Sequence, residues 1–554
     1  VLFDQGVIVD ADFRGAAPKD ARVVNGAGRT LLPGLIDAHT HAFRFHELPV
    51  LFGVTTQVDM FTDIPSLTAA KQAMRDGGNH QHADLFSAGT LVTAPHGHGT
   101  QFGIAIPTLA KAEDAQAFVD ARIAEGSDFI KIVMEGGHGF KSLDLATAKA
   151  VIEAAHRRGK LAVVHVSTEQ DARAVLEAGA DGLVHLFTGS AAGDADGLAQ
   201  LAVRRGAFVI PTFTVLESMA GYKGDDLLAL PAFAGMLDKD RQAPLKARYG
   251  AQAKPALLAA PKAVTAALIK AGVPVLAGTD AGNAGTQYGV SMHRELAALV
   301  EAGLTPSQAL TAATSAPARA FKLGQRGRIA KGYKADLLLV DGNPTADIRA
   351  TRQIVEVWKD GESANSLRER QREQVANAAA KGGDAQALPA DGRISQFSPA
   401  KLGSPFGAGW VPSTDSFAGG KSTVTLAAQP ALPDGQVPLA IDAKVAPGLP
   451  FAWAGVAFMP GAQPMQSVNL SAAKVVRFKV RGDGKVYQMI AMSQGVQMPG
   501  AKRFTAGPEW TEVSVPFSDF KGIDPASVTM LGFNAGPQPG DYRFEIADVR
   551  LLPQ

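Results

Sequence analysis

The sequence predicts an α/β protein: a (β/α)8 TIM barrel, a small β-sandwich domain formed by both flanks of that barrel, and an all-β region at the C-terminal end. Between Leu35 and about Phe321, apolar runs of strand length alternate with Ala- and Leu-rich helical stretches, as in barrels of typically about 250 residues. Strand-like runs flank this part on both sides. From about Leu402 onward, short strands are separated by turn residues at β-sandwich spacing. A doubly wound sheet is the alternative that the pattern leaves open for the central part.

The predicted strands of the barrel are short apolar runs bounded by Gly, Pro or polar residues. Stretches between several of them, such as 145–158 and 169–178, have the apolar spacing of helices. The strand candidates are residues 35–41, 54–60, 84–90, 128–134, 161–166, 182–187, 207–213 and 274–280.

The changes in pattern also predict the domain boundaries. Residues 1–34, with strand-like runs at Val7–Val9 and Ala21–Val24, pair with 318–362 in the small β domain. The other predicted parts are the barrel at 35–317, a helix and linker at 363–401, and the β-sandwich at 402–554.

The composition is typical of a globular protein that can bury a large core. Of 554 residues, 46% are hydrophobic and 19% are charged. Lys and Arg together number 54 against 53 Asp and Glu, which gives no indication of a nucleic-acid-binding surface. No apolar run approaches the roughly 18–20 residues of a membrane span. The absence of cysteine excludes disulfides, thiolate metal ligands and a cysteine nucleophile.

The absence of cysteine is also compatible with an oxidising compartment. The first residues already have the pattern of a strand and a turn, which favours a chain from which a leader has been removed. We therefore predict a periplasmic or secreted location, with the cytoplasm as the alternative.

Two histidines mark the end of the first barrel strand. His39 and His41 are two residues apart, so on a strand both imidazoles point to the same side. An isolated H-x-H pair is more often structural than metal-binding. Its position at the end of a buried strand favours a metal site.

Lys131 lies in the apolar run DFIKIVM, where a charged amine is costly unless it is paired or neutralised. It can face solvent, act as a Schiff-base nucleophile, or carry a carbamate formed with CO2, which would make it an anion able to bridge two metal ions. A Schiff-base enzyme does not need several inward-facing histidines, whereas a metal pair needs neutral imidazoles and bridging anions. The histidines therefore favour the carbamate.

Further ligand-type side chains end later strands. His165 and His185 follow the fifth and sixth strand candidates, and Asp280 in AGTDAG follows the eighth. Each has a structural interpretation: a buried histidine, or a helix N-cap in the case of Asp280. Together with the earlier residues they occupy the strand ends where barrel enzymes place their chemistry.

Over about residues 1–362 the chain resembles the amidohydrolase superfamily, in particular its binuclear imidazolonepropionase-like and Xaa-Pro dipeptidase-like members with a carbamylated lysine. The resemblance rests on LLPGLIDAHTH, the lysine in IKI, the aspartate in GTDAG, and the segment EAGLTPSQALTAATSAPARAFKLGQRGRIAKGYKADLLLVDGNP. It implies a metal-dependent hydrolase that cleaves an amide bond, such as that of a dipeptide or an N-acyl amino acid.

The resemblance also implies a ligand set for two divalent metal ions, by default zinc. His39, His41, Asp280 and the carbamate of Lys131 would hold the more buried ion. The same carbamate, His165 and His185 would hold the second. A hydroxide bridging the ions would attack the scissile carbonyl. Asp280 would act as general base towards that hydroxide and then as general acid towards the leaving nitrogen.

Substrate contacts are predicted in two Gly-rich loops after the third and fourth strands. His98 in HGHGT and His138 in EGGHGF are the candidates, with His96 as plausible as His98 on chemistry alone. Histidines exposed to water in surface loops are the structural alternative. A mononuclear amidohydrolase acting on a cyclic amide or lactone is the alternative enzyme. A homo-oligomer is compatible with barrels of this kind.

The C-terminal region resembles the galactose-binding-like jelly roll of the complex I intermediate-associated protein 30 family. The matching stretches are STDSFAGGKSTVTL, EWTEVSVPFSDF and LGFNAGPQPGDYRFEIADVRLL. The resemblance implies a structural or docking role without catalysis. Trp410, Trp453 and Trp510 could stack on a sugar, although tryptophans in a small sandwich are more often core residues. A glycan-binding protein that acts through this domain is the alternative from another class.

Overall fold

The computed structural model describes residues 1–43, 46–77, 80–100, 106–135, 140–250, 252–380, 386–418, 420–449, 451–462, 466–494 and 499–553. The chain divides into two compact units. One comprises the described residues of 1–100 and 106–375, and the other comprises those from Ala376 onward.

The strands of the first unit carry both a flanking sheet and the parallel strands of the barrel. They are β1 (Leu2–Asp4), β2 (Val7–Asp10), β3 (Arg29–Pro33), β4 (Leu35–Thr40), β5 (Val54–Asp59), β6 (Asp84–Ser87), β7 (Ile130–Met134), β8 (Ala162–Val166), β9 (Gly182–Val184), β10 (Phe208–Ile210), β11 (Leu337–Asp341), β12 (Ile354–Lys359) and β13 (Glu362–Ser363).

Helices alternate with the parallel strands and continue after them. They are α1 (Leu48–Leu51), α2 (Ile64–Arg75), α3 (Ala115–Ala124), α4 (Leu145–Arg157), α5 (Glu169–Glu177), α6 (Ala195–Arg205), α7 (Phe213–Met219), α8 (Asp225–Leu228), α9 (Pro231–Ala234), α10 (Lys239–Lys246), α11 (Ala259–Ala271), α12 (Met292–Glu301), α13 (Pro306–Ala312), α14 (Ser315–Ala320) and α15 (Asn365–Ala380). Among the described residues, none of the helices has the length and apolar character needed to cross a membrane.

The parallel strands form two sheets, β4-β5-β6 and β7-β8-β9-β10. Single parallel bridges join the first sheet to the second and connect the segment after β10 to both β10 and the end of β4. Strands of a (β/α)8 barrel close a ring in this way. These pairings are Val92 with Ile132, Val209 with Val275, and Thr40 with Ala281.

The predicted eighth strand, 274–280, is not a regular strand, but it bonds to the strands on both sides. The Leu276 amide donates to the carbonyl of Val209 on β10, and the Ala277 carbonyl accepts from the amide of Ala38 on β4. Its last residue, Asp280, has a φ of 57°, a left-handed conformation that ends the extended chain at this point. β9 and β10 also end before their predicted limits, because His185 (φ 67°) and Thr212 (φ 56°) are left-handed as well.

The inside of the barrel below these strand ends is apolar. Phe129, just before β7, and Val163 on β8 belong to this buried interior cluster. They precede Lys131 and His165 by two residues, so their side chains lie on the same side of the sheet as those two. A separate buried cluster includes Ile130, Ile132 and Val164 from the other side of the same strands together with residues of the helices. The parallel strands are therefore covered on both faces.

The flanking sheet joins the two ends of the first unit. β3 pairs antiparallel with β11, which continues through β12 to β13. β1 and β2 form a hairpin that reaches this region through a bridge between Val7 and Lys334. The strand predicted at Ala21–Val24 is absent from the described structure, where these residues lie outside regular structure.

The second unit is all β apart from short turns of helix. Two five-stranded antiparallel sheets, β16-β19-β24-β21-β22 and β17-β18-β25-β20-β23, share one apolar core. Its strands are β14 (Gln396–Ser398), β15 (Lys401–Gly403), β16 (Gly409–Thr414), β17 (Thr423–Ala428), β18 (Leu439–Val445), β19 (Ala454–Met459), β20 (Val475–Gly482), β21 (Val486–Ser493), β22 (Gly500–Thr505), β23 (Thr511–Pro516), β24 (Val528–Ala535) and β25 (Gly540–Leu552).

The tryptophans of this unit differ in their surroundings. Trp410 is buried in the core, and its indole N–H donates to the carbonyl of Ile394 (3.0 Å). Trp453 is half-buried. Trp510 is also half-buried and lies under the guanidinium of Arg481, 4.9 Å from its ring centroid. Trp410 is therefore a core residue, as a tryptophan in a small sandwich usually is.

Candidate metal centre

Five imidazole rings form a row at the carboxyl ends of the parallel strands. In the order His41, His39, His185, His165, His98, neighbouring ring centroids are 5.4, 4.7, 4.7 and 5.1 Å apart. The rings come from the ends of β4 and β8, from the residue after β9 and from the loop after β6. The barrel topology thus brings together histidines that are far apart in the sequence, at the end of the barrel where such enzymes place their active sites.

Asp280 lies at one end of this row. Its Oδ1 is 3.2 Å from Nε2 of His39 and 2.9 Å from Nε2 of His41. The ligand atoms of these three residues all lie within 4.8 Å of one another. Burial lowers the pKa of His39 to about 3, so its imidazole is neutral. Burial alone would raise the pKa of Asp280, but the adjacent His39 and His185 hold it well below its usual range, so Asp280 is an anion.

The ligand atoms of His39, His41 and Asp280 are better placed to bind a metal ion than to hydrogen-bond to one another. Both ring nitrogens of His39 and Oδ1 of Asp280 are buried without a hydrogen-bond partner, although Nε2 of His39 and Oδ1 of Asp280 are only 3.2 Å apart. Unsatisfied buried polar atoms are rare in folded proteins and call for an explanation. Neutral imidazole nitrogens that converge with a carboxylate oxygen are the donors that zinc and similar ions prefer.

Lys131 is buried in the middle of β7, with 2% of its surface exposed. Burial lowers its pKa to about 7, against the opposing effects of the carboxylates of Asp280 and Asp59. A neutral amine is therefore accessible near neutral pH. A neutral amine is the form that adds CO2, with loss of a proton, to give a carbamate.

Thr212 orients the ring of His185. The Thr212 hydroxyl lies 2.7 Å from the carbonyl of Pro211 and 2.8 Å from Nδ1 of His185. Because the hydroxyl has one proton, which it donates to the carbonyl, it accepts a hydrogen bond from Nδ1–H. Nε2 of His185 is then the nitrogen left with a lone pair, as in metal-binding histidines whose other nitrogen is held by an outer partner.

Glu135 lies beyond His185 along the row and was not singled out from the sequence. Its Oε2 is 2.8 Å from Nε2 of His165, and 4% of the residue is exposed. A signal for it was present, since Glu135 follows Lys131 by four positions and so falls on the same side of an extended chain.

A second residue missed from the sequence, Asp37, ties together the strand ends that carry His39 and Asp280. Its Oδ1 accepts hydrogen bonds from the amides of His39 (3.2 Å) and Thr279 (3.0 Å). Its Oδ2 accepts from the Thr279 hydroxyl (2.6 Å). Burial raises the pKa of Asp37 to about 7.

The predicted substrate contacts have different outcomes. His98 lies against His165, with the two rings nearly parallel, and Phe140 meets it edge-on at 5.3 Å. Burial lowers the pKa of His98 to about 3. His96, its alternative, is exposed. His138 lies outside the described residues.

Comparison with known proteins agrees with this architecture. The chain is similar to the ochratoxinase of Aspergillus niger, with 26% identity over 267 residues, 45% of this chain and 48% of that protein. It is similar to the imidazolonepropionase of Rubrobacter xylanophilus, with 27% identity over 354 residues, 57% of this chain and 77% of that protein. The chain thus spans about half the length of the ochratoxinase that it matches.

Solved structures and family models point the same way. A crystal structure of a Xaa-Pro dipeptidase with bound methionine superposes with a TM-score of 0.51 at 21% identity, over 65% of this chain and 93% of that one. Residues 401–532 match the model of the complex I intermediate-associated protein 30 family. The model of the amidohydrolase family matches residues 30–365, which is most of the chain. The chain therefore belongs to the amidohydrolase family.

Proposed function

We propose that this chain is a metal-dependent hydrolase that cleaves the amide bond of a dipeptide or an N-acyl amino acid. The observation that carries the proposal is the convergence of His39, His41 and Asp280, whose ligand atoms lie within 4.8 Å of one another and include buried atoms without hydrogen-bond partners. Membership of the amidohydrolase family and the likeness to a Xaa-Pro dipeptidase support an amide as the substrate.

The proposed site holds two divalent ions, by default zinc. His39, His41 and Asp280 hold one of them, and His165 and His185 hold the other. A carbamate on Lys131 would be a shared ligand of both ions. The chemistry that bound ions supply is an activated water and a polarised carbonyl.

Asp280 provides the proton transfer. Its carboxylate is anionic in this site and lies at the edge of the row of histidines. It can therefore accept a proton from the attacking water and deliver it to the leaving nitrogen, so that the amine departs neutral.

We infer that the two sheets of the second unit form a galactose-binding-like jelly roll with a structural or docking role. Their antiparallel order and shared core support this. Glycan binding by this unit and a periplasmic location stay predictions.

The test combines metal content with substrate profiling. Purified protein loaded with zinc is expected to hold about two ions per chain and to release amino acids from a library of dipeptides and N-acyl amino acids. Asp280→Asn should lower kcat by about 10²–10⁴-fold. Metal-loaded protein that leaves every amide intact would overturn the proposal.

Lys131→Ala is the matching test of the carbamate. It is expected to lose activity and at least one metal ion together. A labelled carbamate signal from isotopically enriched bicarbonate should be present in the wild type and absent from the variant. Full metal content and activity in Lys131→Ala would reject the carbamate.

A mononuclear enzyme acting on a cyclic amide or lactone is the second candidate. One observation favours it: among the described residues, His39, His41 and Asp280 are the one group that brings three ligand atoms within 4.8 Å of one another. A metal content of about one per chain, with turnover of lactones or cyclic amides in the same library, would select this candidate over the first.

A further inference from the structure

We propose that a cavity lined by α7, α11 and α12 binds a small organic anion, with a phosphate or carboxylate group beside an apolar part. The cavity has a volume of about 570 Å³, within the range of about 300–1,000 Å³ that is typical of ligand sites. Of the described residues that line it, none is a candidate metal ligand. The inference therefore requires no metal ion and goes beyond the proposed hydrolase.

The charged side chains that line the cavity are mostly basic. Three of them are acidic and five are basic, namely Lys223, Lys262, Arg294, Arg349 and Arg352. The lining thus has an excess of two positive charges, whereas the whole chain is close to neutral. Walls of low dielectric strengthen the field of such an excess, which attracts ions of the opposite charge.

The acidic side chains of the cavity already have partners. Arg294 on α12 donates to Glu217 (2.9 Å) and to Glu301 (2.7 Å). Nη2 of Arg352 donates to Asp226 (3.0 Å). Each carboxylate thus accepts a hydrogen bond from an arginine, so an incoming anion meets no carboxylate at the wall that still needs a cation.

Three further cations at the cavity have no such partner. Lys223 follows α7, Lys262 lies on α11, and Arg349 lies in a turn of helix before β12. Their side chains make no ion pair or hydrogen bond with the residues that the structure describes. Burial by itself would raise the pKa of the Glu301 carboxyl, but Arg294, and after it Lys262 and Arg349, hold this pKa below its usual range. Lys262 and Arg349 therefore lie near the same end of the cavity.

Arg352 adds directed donors in the same turn of helix as Arg349. Its side chain is 10% exposed, and Nη2 alone of its nitrogens has hydrogen-bond partners, Asp226 and the carbonyl of His293 (3.4 Å). Nε is buried without a partner among the described residues, so the guanidinium has donors that the protein itself leaves unused. A planar guanidinium is suited to carboxylate and phosphate groups, whose oxygens it can bind in pairs.

The rest of the wall is partly apolar. Tyr222, Pro255 and Leu258 also line the cavity. Ligand sites typically combine apolar lining of this kind with a few polar groups that fix the orientation of the ligand. An inorganic anion would leave these side chains in contact with water, whereas an organic anion would cover them. We therefore expect the ligand to have an apolar part.

The experiment compares four compounds that share a phenyl ring: phenyl phosphate, benzoate, benzamide and benzylamine. Each is titrated into the full chain, and binding is followed by ligand-observed NMR. Both anions should bind the chelator-treated protein as well as the zinc-loaded protein, which separates this site from the metal centre. Neutral benzamide and cationic benzylamine should bind at least about tenfold more weakly, because they lack the charged acceptor. The relative affinities of the two anions show whether the site takes phosphate or carboxylate.

The matched variants each remove one lysine and one arginine. Lys262→Met/Arg349→Met removes two cations of the cavity that have no ion pair, so the arginine–carboxylate pairs of the wall stay in place. It should weaken the binding of both anions at least about tenfold. Lys270→Met/Arg204→Met is the control, because Lys270 lies on the same helix as Lys262 and both of its residues are exposed outside the cavity. It should bind both anions like the wild type.

The outcomes are distinct, and none of them affects the proposed hydrolase. Benzamide bound as tightly as benzoate would show that the cavity does not select charge and would overturn the inference. Anion binding that is lost with the metal, or that is equal in the two double variants, would place the anion elsewhere and overturn it too. Anions that fail to bind at millimolar concentrations would have the same consequence.

A further variant covers the case in which Lys262→Met/Arg349→Met does not fold. Lys223→Met then serves instead, since Lys223 is exposed in the loop after α7. It should weaken the binding of both anions severalfold, and an unchanged affinity would count against the inference.

Discussion

The carboxylate of Asp37 accepts hydrogen bonds from both the amide and the hydroxyl of Thr279, at 3.0 and 2.6 Å. These residues precede the candidate ligands His39 and Asp280 by two positions and one position. The strand that begins the barrel and the segment that closes it are thus joined directly behind the site. Because Asp37 also accepts the amide of His39, it fixes the relative position of the two ligands.

We therefore predict that Thr279→Val weakens metal binding. The substitution keeps the shape of the side chain and removes the hydroxyl that donates to Asp37. Removing an outer partner of a metal site typically costs 10–100-fold in affinity, and we expect a loss in that range for the ion at His39, measured by competition with a chromophoric chelator.

Thr265→Val is the matched control for this prediction. Thr265 is fully buried in α11, and its hydroxyl has no hydrogen-bond partner among the described residues. It should leave metal affinity unchanged. Equal affinities in the two variants would show that the Asp37–Thr279 contact does not position the ligands.

His98 leads to a prediction about the substrate. It stacks on His165 at 5.1 Å and lies at the end of the row of histidines, opposite Asp280. A hydrogen bond from His98 to a substrate group is worth about 1–3 kcal/mol, so His98→Asn should lower kcat/KM by roughly 10–100-fold. The metal content should stay at the wild-type value.

His156→Asn provides the comparison, since His156 is exposed and bonded to Asp181 (2.8 Å) on the outside of the barrel. It should have wild-type kinetics. A loss of metal in His98→Asn would instead make His98 part of the metal site, and unchanged kinetics would remove it from the substrate pocket.

Glu295 makes the stability of the first unit depend on pH. Its carboxyl accepts hydrogen bonds from the amides of Phe213 and Thr214 at 3.0 and 2.8 Å. These two residues directly follow Thr212, which orients the ring of His185. Burial raises its pKa to about 8 from an ordinary 4.5. The folded protein thus keeps a proton that the unfolded chain releases above its ordinary pKa. The contribution of Glu295 to stability therefore falls as the pH rises through this interval, by at most about 1.4 kcal/mol per pH unit.

Glu295→Gln, which does not titrate, should therefore become more stable relative to wild type by about 2 kcal/mol between pH values of about 6 and 8. The difference in the free energy of unfolding, measured in urea on chelator-treated protein, isolates this effect from the other titrating groups. A difference that does not change with pH would show that Glu295 is ionised in the folded protein throughout.

The sequence predicted the residues that meet at the site better than the backbone that holds them there. His39, His165 and Lys131 could be placed because the carboxyl ends of parallel strands meet at one end of a barrel. Strand alternation and strand order are visible in a sequence. The left-handed conformations of His185 and Asp280 are not, because any residue type but proline can be held there by its surroundings, and the predicted strands were too long for that reason.

Glu135 and Asp37 escaped notice for a related reason. Each acts on a neighbour through a short contact with an element remote in sequence, His165 for one and Thr279 for the other. In the sequence, Asp37 is an acidic residue within an apolar run and Glu135 is the first residue of a Gly-rich loop. Apart from the spacing of Glu135 from Lys131, nothing local distinguishes such a carboxylate from an exposed one. Only the register between neighbouring strands shows which donor it faces.

The last prediction concerns the join between the barrel and the flanking sheet. Lys359 on β12 is fully buried, and its ammonium contacts Asp84 on β6 (3.2 Å), Asp336 (3.6 Å) and Asp360. These carboxylates raise the pKa of Lys359 above its usual range against the opposing effect of burial. Removing Lys359 takes away the ammonium that contacts Asp336, whereas Asp84 keeps Arg326 (2.6 Å) and Lys334 (2.9 Å) as partners. Breaking a buried ion pair typically costs about 3–5 kcal/mol.

Lys359→Met should therefore lower the free energy of unfolding by about 3–5 kcal/mol, measured by urea denaturation of the chelator-treated protein. Metal affinity should stay unchanged, because the cluster lies where β6 begins and the candidate ligands lie where the strands end. Lys149→Met is the matched control, since Lys149 is exposed and lies 4.0 Å from Glu153 one helical turn away, a pair that contributes little to stability. If both variants unfolded like the wild type, the buried cluster would add nothing to stability, and the join between barrel and sheet would depend on apolar packing alone.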